Sequence, residues 1–302
     1  MIDPVFRDSP QFVCEPLTDR LGVTTVLKVE SVNPIRSFKG RGADYLLHRL
    51  GPRPTGFVCA SAGNFGQGMA YSARKRGGRL TVFAAISANP LKVSRMRALG
   101  ATVVLEGRDF DAAKESGKRH AETTGALWVE DGAAPEIAEG AGTIALELDL
   151  MSEKLHAVFV PLGNGALVNG IGTWVKRFSP ATSVIAVCAA GAPAMQLSWL
   201  ARKAVSTPSI DTVADGIGVR VPVPEAVAEM RNAVDDVILV TDEDLIAAMR
   251  MLQADAGLIV EPAGAACVAA VVKRQKDLAG KRVAVVLTGG NITEDQIRKW
   301  LT

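Results

Sequence analysis

The sequence predicts an α/β protein of two domains, each built on a mainly parallel sheet that helices cover. Strand-like apolar runs alternate with helical patterns along most of the 302 residues. The runs at 56–61 ("GFVCAS") and 156–163 ("HAVFVPLG") are continuously apolar, which is typical of strands buried on both faces of a parallel sheet. The strand–helix units fall into two series, which favours two domains that share a cleft.

The first series contains four strands, each followed by a helix. Its strands are predicted at 56–61, 80–86, 101–107 and 126–131. The helices after them are predicted to end near Lys75, 97–100, Thr123 and 151. The cations and glycines of "ARKRGGR" at 73–79 mark the first of these ends, because cations favour a helix C-terminus and glycine stops the helix.

The second series begins with the strand at 156–163 and a helix that ends near Phe178. Further strands are predicted at 183–190, 236–242 and 281–290, with two long helices before the last of them. The stretch "SVNPIRSFKGRG" at 31–42 follows an apolar run and is predicted as a loop. Its lysine, Lys39, is an ordinary surface cation unless other residues build a site around it.

Charge, cysteine usage and hydropathy argue against several classes of function. The formal net charge is only +2, with both signs interspersed, which disfavours a nucleic-acid partner. The four cysteines and three histidines are scattered without ligand spacing, so we expect no metal site. The N-terminus lacks a signal-peptide pattern and no apolar run reaches membrane length, which predicts a soluble cytoplasmic protein without a membrane partner.

Two glycine-rich turns follow predicted strands and lead into helices. In "CASAGNFGQG" at 59–68 the glycines allow a ligand close to the backbone, and Ser61 can cap the next helix. In "PLGNGALVNG" at 161–170, Gly163 and Gly165 open a helix at its anion-binding end. The spacing after Gly165 does not match the dinucleotide pattern. The second turn therefore favours a phosphate group over a dinucleotide.

Two further turns, "EPAGAA" at 261–266 and "LTGGN" at 287–291, are weak signals alone. Together with Lys39 and the glycine loops, they complete the parts of a pyridoxal phosphate site. The chain resembles the fold-type II pyridoxal phosphate enzymes, the tryptophan synthase β-like fold, and within them the serine/threonine dehydratase family. The resemblance rests on segments that follow the family's order along nearly the whole chain: "SFKGRGA" (37–43), "SAGNFGQG" (61–68), "GTIALEL" (142–148), "PLGNGALVNG" (161–170), "ADGIGV" (214–219), "EPAGAA" (261–266) and "LTGGN" (287–291).

The resemblance implies a division into domains and a reaction. Residues 1–40 and 136–302 would form a larger cofactor-binding domain, and residues 41–135 a smaller one that supplies the loop for the substrate carboxylate. The implied enzyme is a pyridoxal 5'-phosphate-dependent lyase that converts threonine, serine or a related β-hydroxy amino acid to a 2-oxo acid and ammonia. We expect a homodimer, and no C-terminal regulatory domain.

The resemblance also assigns roles to residues. Lys39 would bind the cofactor covalently and remove the α-proton, and the leaving hydroxyl would receive a proton from the cofactor phosphate. Phe38 would pack beside the ring, Asn64 would bind its phenolic oxygen, and Thr288 would face its nitrogen. Two loops complete the site, with phosphate-binding amides at Gly163, Asn164, Gly165, Ala166 and Leu167, and a substrate-binding loop of Ser61, Ala62, Gly63, Asn64 and Phe65.

Three departures from the family's pattern bear on the reaction. Ala62 stands where racemases carry a second serine, which disfavours racemisation. Phe65 replaces the usual histidine, and "GNGA" at 163–166 replaces the usual run of four glycines. These two changes keep open a threonine synthase-like or cysteine synthase-like elimination or replacement enzyme. A catalytically silent relative that only binds a small amine is the third alternative, and the intact Lys39 argues against it.

Overall fold

Ten strands and twelve α-helices make up the computed structural model of the protein, which describes residues 1–302. The strands are β1 (Gln11–Val13), β2 (Thr24–Val29), β3 (Phe57–Ala60), β4 (Leu80–Ala84), β5 (Thr102–Leu105), β6 (Leu127–Val129), β7 (Ala157–Pro161), β8 (Ser183–Ala189), β9 (Asp236–Val240) and β10 (Arg282–Leu287). The helices are α1 (Glu15–Leu21), α2 (Lys39–Leu50), α3 (Asn64–Lys75), α4 (Pro90–Ala98), α5 (Phe110–Thr124), α6 (Pro135–Asp149), α7 (Ala166–Phe178), α8 (Ala194–Ala201), α9 (Pro224–Ala233), α10 (Asp242–Ala256), α11 (Pro262–Lys273) and α12 (Glu294–Leu301).

The strands form two sheets, as the two series predicted. The larger sheet has six strands in the order β1-β2-β10-β7-β8-β9, and the smaller has four in the order β5-β4-β3-β6. All neighbours pair in parallel except β1 and β2. The smaller sheet lies between residues 57 and 129, inside the range predicted for the smaller domain. The domain boundaries themselves stay a prediction.

Helices cover both faces of the larger sheet. Residues of α10 and α11 pack with one face in a core of 34 buried residues, and residues of α6, α7 and α9 pack with the other in a core of 25. A third core of 17 residues joins the smaller sheet to α2 and α3. Because β3 and β7 are buried along their whole length, their continuously apolar sequences are explained and the predicted α/β class is confirmed.

The loop predicted at 31–42 is partly wrong, because α2 already begins at Lys39. Gly40 and Gly42 lie inside this helix, where both allow close packing. A Cβ atom at Gly40 would lie 2.2 Å from the Phe6 ring, and one at Gly42 would lie 2.5 Å from the Ile137 carbonyl oxygen. The short β1 and α1, which precede this region, were not predicted. No helix is both long enough and apolar enough to cross a membrane.

Candidate active site

A cleft of about 670 Å³ opens between the two sheets. The residues from the smaller-sheet side lie after β3 and around β6, and those from the larger-sheet side lie after β7 and β10. This is the carboxyl edge of the parallel strands, where ligands bind in such folds. All thirteen residues predicted for the site line this cleft: Phe38, Lys39, Ser61, Ala62, Gly63, Asn64, Phe65, Gly163, Asn164, Gly165, Ala166, Leu167 and Thr288.

Lys39 is the first residue of α2, and its side chain is enclosed by the cleft. The Nζ atom lies 4.9 Å from the centroid of the Phe38 ring and 5.9 Å from that of Phe65. It also lies 2.5 Å from Oδ2 of Asp131, and only 14% of the lysine side chain is exposed. The surface-lysine interpretation is therefore excluded, because this amine is held between two aromatic rings and a carboxylate.

The loop from Gly163 to Leu167 presents free backbone donors to the cleft. None of its five amides donates a hydrogen bond within the chain, and α7 begins at Ala166. Gly165 has a φ of 99°, whereas Asn164 and Ala166 have negative φ. The replacement of four glycines by "GNGA" is therefore tolerated, since only position 165 needs the left-handed conformation. Free amides at a helix N-terminus fit a phosphate group.

The second loop, Ser61 to Phe65, has its own free amides. The Ser61 hydroxyl accepts hydrogen bonds from the amides of Gly63 at 3.1 Å and Gly66 at 2.9 Å. It therefore satisfies one amide of the first turn of α3, although the N-cap residue itself is Gly63 and not Ser61. The amides of Ala62, Asn64 and Phe65 donate to no group of the protein. This loop can therefore receive an anion of carboxylate size.

Asn64 of this loop belongs to a chain of hydrogen-bonded polar side chains. Asn64 donates from Nδ2 to Oε1 of Glu261 at 2.6 Å, and its Oδ1 accepts from Nδ2 of Asn291 at 2.7 Å. Glu261 is buried, and its Oε2 has no hydrogen-bond partner. Burial, with the nearby Asp215 carboxylate, raises the pKa of Glu261 to about 7 against the opposing effect of Lys92 and Asn64.

This raised pKa predicts a pH-dependent stability. Folded Glu261 holds its proton up to about pH 7, whereas the unfolded chain releases it near 4.5. The folded state therefore binds more protons between these values, so its stability falls as the pH rises through them, by up to about 3 kcal/mol. Denaturant unfolding of parent and Glu261→Gln at several pH values checks this. A free-energy difference between the two that stays constant from pH 4.5 to 7.5 would contradict it.

Several residues of the cleft were given no role by sequence reasoning. Asp131, which pairs with Lys39, is the last residue of the strand predicted at 126–131, and its place at a strand's carboxyl end was the available signal. Lys92 is buried and pairs with Asp215 at 2.5 Å, joining α4 to the larger-sheet side of the cleft. No local pattern marks that pair, because its members are 123 residues apart.

Comparison with known sequences identifies the family. Residues 2–289 match the family described as "Pyridoxal-phosphate dependent enzyme". The protein belongs to this family. Its fold-type II architecture and its cofactor, pyridoxal phosphate, are thereby confirmed as the sequence predicted.

Individual relatives of this pyridoxal phosphate enzyme have named activities. The chain is 36% identical over 283 residues to "L-threonine ammonia-lyase" of Thermotoga maritima, covering 93% of this chain and 70% of the relative. It is 35% identical over 296 residues to "Threonine dehydratase biosynthetic, chloroplastic" of Arabidopsis thaliana, covering 96% of this chain but 50% of the relative. The chain thus spans about half the length of the plant dehydratases it matches.

Solved structures agree with the sequence comparison. The processed form of threonine deaminase isoform 2 from Solanum lycopersicum superposes with a TM-score of 0.93 at 30% identity, covering 98% of this chain and 88% of that one. The threonine deaminase of "T.th." gives a TM-score of 0.89 at 32% identity, covering 94% of this chain and 93% of that one. These matches extend over both sheets, so the cleft between them belongs to the shared fold.

The residues of the cleft fit the cofactor. Five free amides stand at Gly163–Leu167 for its phosphate, and Lys39 presents a primary amine for its aldehyde. A Cβ atom at Gly163 would lie 3.1 Å from the Gly216 carbonyl oxygen, and one at Gly165 would lie 3.0 Å from Cβ of Ala226. The loop is therefore packed tightly against Gly216 and Ala226, which leaves no room for side chains at positions 163 and 165.

Proposed function

We propose that the protein is an ammonia-lyase that converts threonine, serine or a related β-hydroxy amino acid to a 2-oxo acid and ammonia. The observation that carries this is the position of one enclosed amine, Lys39, in a cleft with two separate loops of free amides. One loop suits the cofactor phosphate and the other suits a substrate carboxylate. The names of the relatives support the same reaction.

In this proposal each group has a defined task. Lys39 carries the cofactor and then removes the α-proton of the substrate. The loop from Ser61 to Phe65 binds the substrate carboxylate, and the loop from Gly163 to Leu167 binds the phosphate. When bound, the cofactor supplies the electron sink that makes the α-proton acidic. Phe38 and Phe65, both buried, exclude water from the reacting carbon.

Thr288 favours elimination over transamination. It follows β10, is 4% exposed and lines the cleft. Toward the bound cofactor, the Thr288 hydroxyl would be a neutral partner for the ring nitrogen, whereas a carboxylate would hold that nitrogen protonated. The cofactor would then be a weaker electron sink, which would favour loss of a β-substituent from the substrate.

Ala62 predicts that the product is formed without racemisation, because a methyl group cannot deliver a proton to the face opposite Lys39. Purified holoenzyme should release 2-oxobutanoate and ammonia from L-threonine, or pyruvate and ammonia from L-serine. The released 2-oxo acid is measured spectrophotometrically, and chiral chromatography of the residual substrate should find little D-isomer. Phosphate released from phosphohomoserine, or sulfide incorporated into O-acetylserine, without turnover of threonine or serine would instead indicate a synthase.

We also propose a homodimer and a cytoplasmic location for the enzyme. The apolar side chains of Leu146, Leu150 and Phe178 are 40%, 76% and 53% exposed. They lie near one another, since the Ser179 hydroxyl at the end of α7 bonds Asp149 at the end of α6. An exposed apolar patch of this kind is typical of an interface between subunits.

A further inference from the structure

Asp131 places a carboxylate against the amine that takes the α-proton. Its Oδ2 lies 2.5 Å from Nζ of Lys39 and accepts a second hydrogen bond from Nδ2 of Asn164 at 3.2 Å. The side chain is 11% exposed, and Oδ1 is buried without any hydrogen-bond partner. A buried carboxylate oxygen without a partner is costly. A ligand that donates a hydrogen bond to Oδ1 would remove that cost.

The backbone holds Asp131 in this position. The residue lies in a turn directly after β6, closed by a hydrogen bond of 3.2 Å from the Ala133 amide to the Glu130 carbonyl oxygen. Gly132 has a φ of 90°, and a Cβ atom there would lie 2.8 Å from the Asn164 carbonyl oxygen. The turn is thus packed against the loop from Gly163 to Leu167. This packing holds the Asp131 carboxylate in place in the cleft.

We propose that Asp131 is a catalytic residue that protonates the leaving β-hydroxyl. This rests on the proposed elimination from serine or threonine, and it gives Asp131 the proton delivery that the family resemblance assigns to the cofactor phosphate. Lys39 takes the α-proton, and the proton passes along the contact between Nζ and Oδ2. The carboxyl group then delivers it to the β-oxygen, which leaves as water with the electron pair of the Cβ–O bond.

This step needs no further reactant, because every proton and electron pair is accounted for. The electron pair of the Cα–H bond becomes the double bond between Cα and Cβ, while Lys39 returns to the amine and Asp131 to the carboxylate. The distances favour the route, because Nζ must reach the α-proton and Asp131 is in direct contact with Nζ. Other carboxylates of the cleft are engaged elsewhere: Glu130 pairs with Lys114, and Glu261 bonds Asn64.

The test compares two leaving groups in the holoenzyme of Asp131→Asn. Loss of hydroxide from L-serine needs a proton, whereas loss of chloride from β-chloro-L-alanine needs none. General-acid catalysis contributes about 10²–10⁴-fold. We therefore expect kcat for L-serine to fall by about 10²-fold or more while kcat for β-chloro-L-alanine is largely retained. Glu130→Gln, which changes the adjacent carboxylate of the same turn, is the matched control. It should leave the ratio of kcat for L-serine to kcat for β-chloro-L-alanine unchanged.

A second readout does not depend on turnover. The visible absorbance of the bound cofactor is titrated with pH in the parent and in Asp131→Asn. Removing a carboxylate beside the Lys39 nitrogen should move the midpoint to lower pH by about one unit or more. An unchanged midpoint would overturn the proposed contact in the holoenzyme.

In the kinetic test, an equal loss of activity toward both substrates, or no loss toward either, would overturn the role of Asp131 as acid. A parent that eliminates from neither serine nor threonine would instead refute the proposed function.

Discussion

Replacing Lys39 with alanine should abolish both the covalent attachment of the cofactor and turnover. The parent, reduced with borohydride and digested, should carry a pyridoxyl group on the peptide that contains Lys39. The variant should carry none there, and its kcat should fall by about 10³-fold or more, since it loses both the attachment point and the base. Peptide mass mapping and the 2-oxo acid assay measure the two effects.

Lys92 provides the matched control for this prediction. It is a second lysine of the same cleft, more deeply buried than Lys39, and is also paired with a carboxylate, that of Asp215. Lys92→Ala should keep the pyridoxyl label on the Lys39 peptide. A pyridoxyl group found on Lys92 in the parent would contradict the assignment, and so would a covalently bound pyridoxyl group in Lys39→Ala. The control separates the effect of the specific amine from that of any lost charge in the cleft.

The two glycine-rich loops of the cleft could be predicted from the sequence because they carry local signals. The turns at 59–68 and 161–170 combine a buried strand, glycines and a helix start within ten residues. Such combinations are visible because the backbone itself forms the binding surface.

The partners that act through side chains were harder to predict. The contact between Lys39 and Asp131 spans 92 residues, and that between Asn64 and Glu261 spans 197. Charged residues are common on surfaces, so nothing in the local sequence separates these carboxylates from solvated ones. The start of α2 at Lys39 was missed for a related reason, because the close approach of Phe6 and Ile137 to its glycines is a property of tertiary packing.

A buried charge network near Lys39 also joins residues that are far apart in the sequence. Arg41, which follows Lys39 by two residues on α2, is fully buried. Its Nε lies 2.9 Å from Glu30, and its Nη1 lies 2.5 Å from Glu147. Lys28 pairs with the same Glu147 at 2.5 Å. This network ties the start of α2 to the end of β2 and to α6.

Burial alone would raise the pKa of Glu147, but the hydrogen bonds and charge of Arg41 and Lys28 lower it to about 2. A depressed pKa in the folded state means that the unfolded chain binds more protons below the usual value of 4.5. The stability contributed by this carboxylate is therefore complete above that pH and is lost as the pH falls toward 2. Acid unfolding should consequently release α2 from α6.

Arg41→Met should lower the free energy of unfolding by about 3–5 kcal/mol, because it leaves Glu30 and Glu147 buried without their main partner. Denaturant unfolding of parent and variant measures the loss. The matched control is Arg20→Met, since Arg20 forms an equally short two-bond pair with Asp255 but is half exposed; it should change stability far less.

A lower free energy of unfolding in Arg41→Met would show that the network stabilises the fold, and a separate measurement is needed to show that it also positions Lys39. If the network sets the position of Lys39, Arg41→Met at a temperature where it remains folded should also bind pyridoxal phosphate more weakly than the parent and Arg20→Met do. Fluorescence titration of each protein with the cofactor decides this. Unchanged affinity in a destabilised but folded Arg41→Met would show that α2 keeps its position without the arginine. The network would then stabilise the fold without placing the reactive amine.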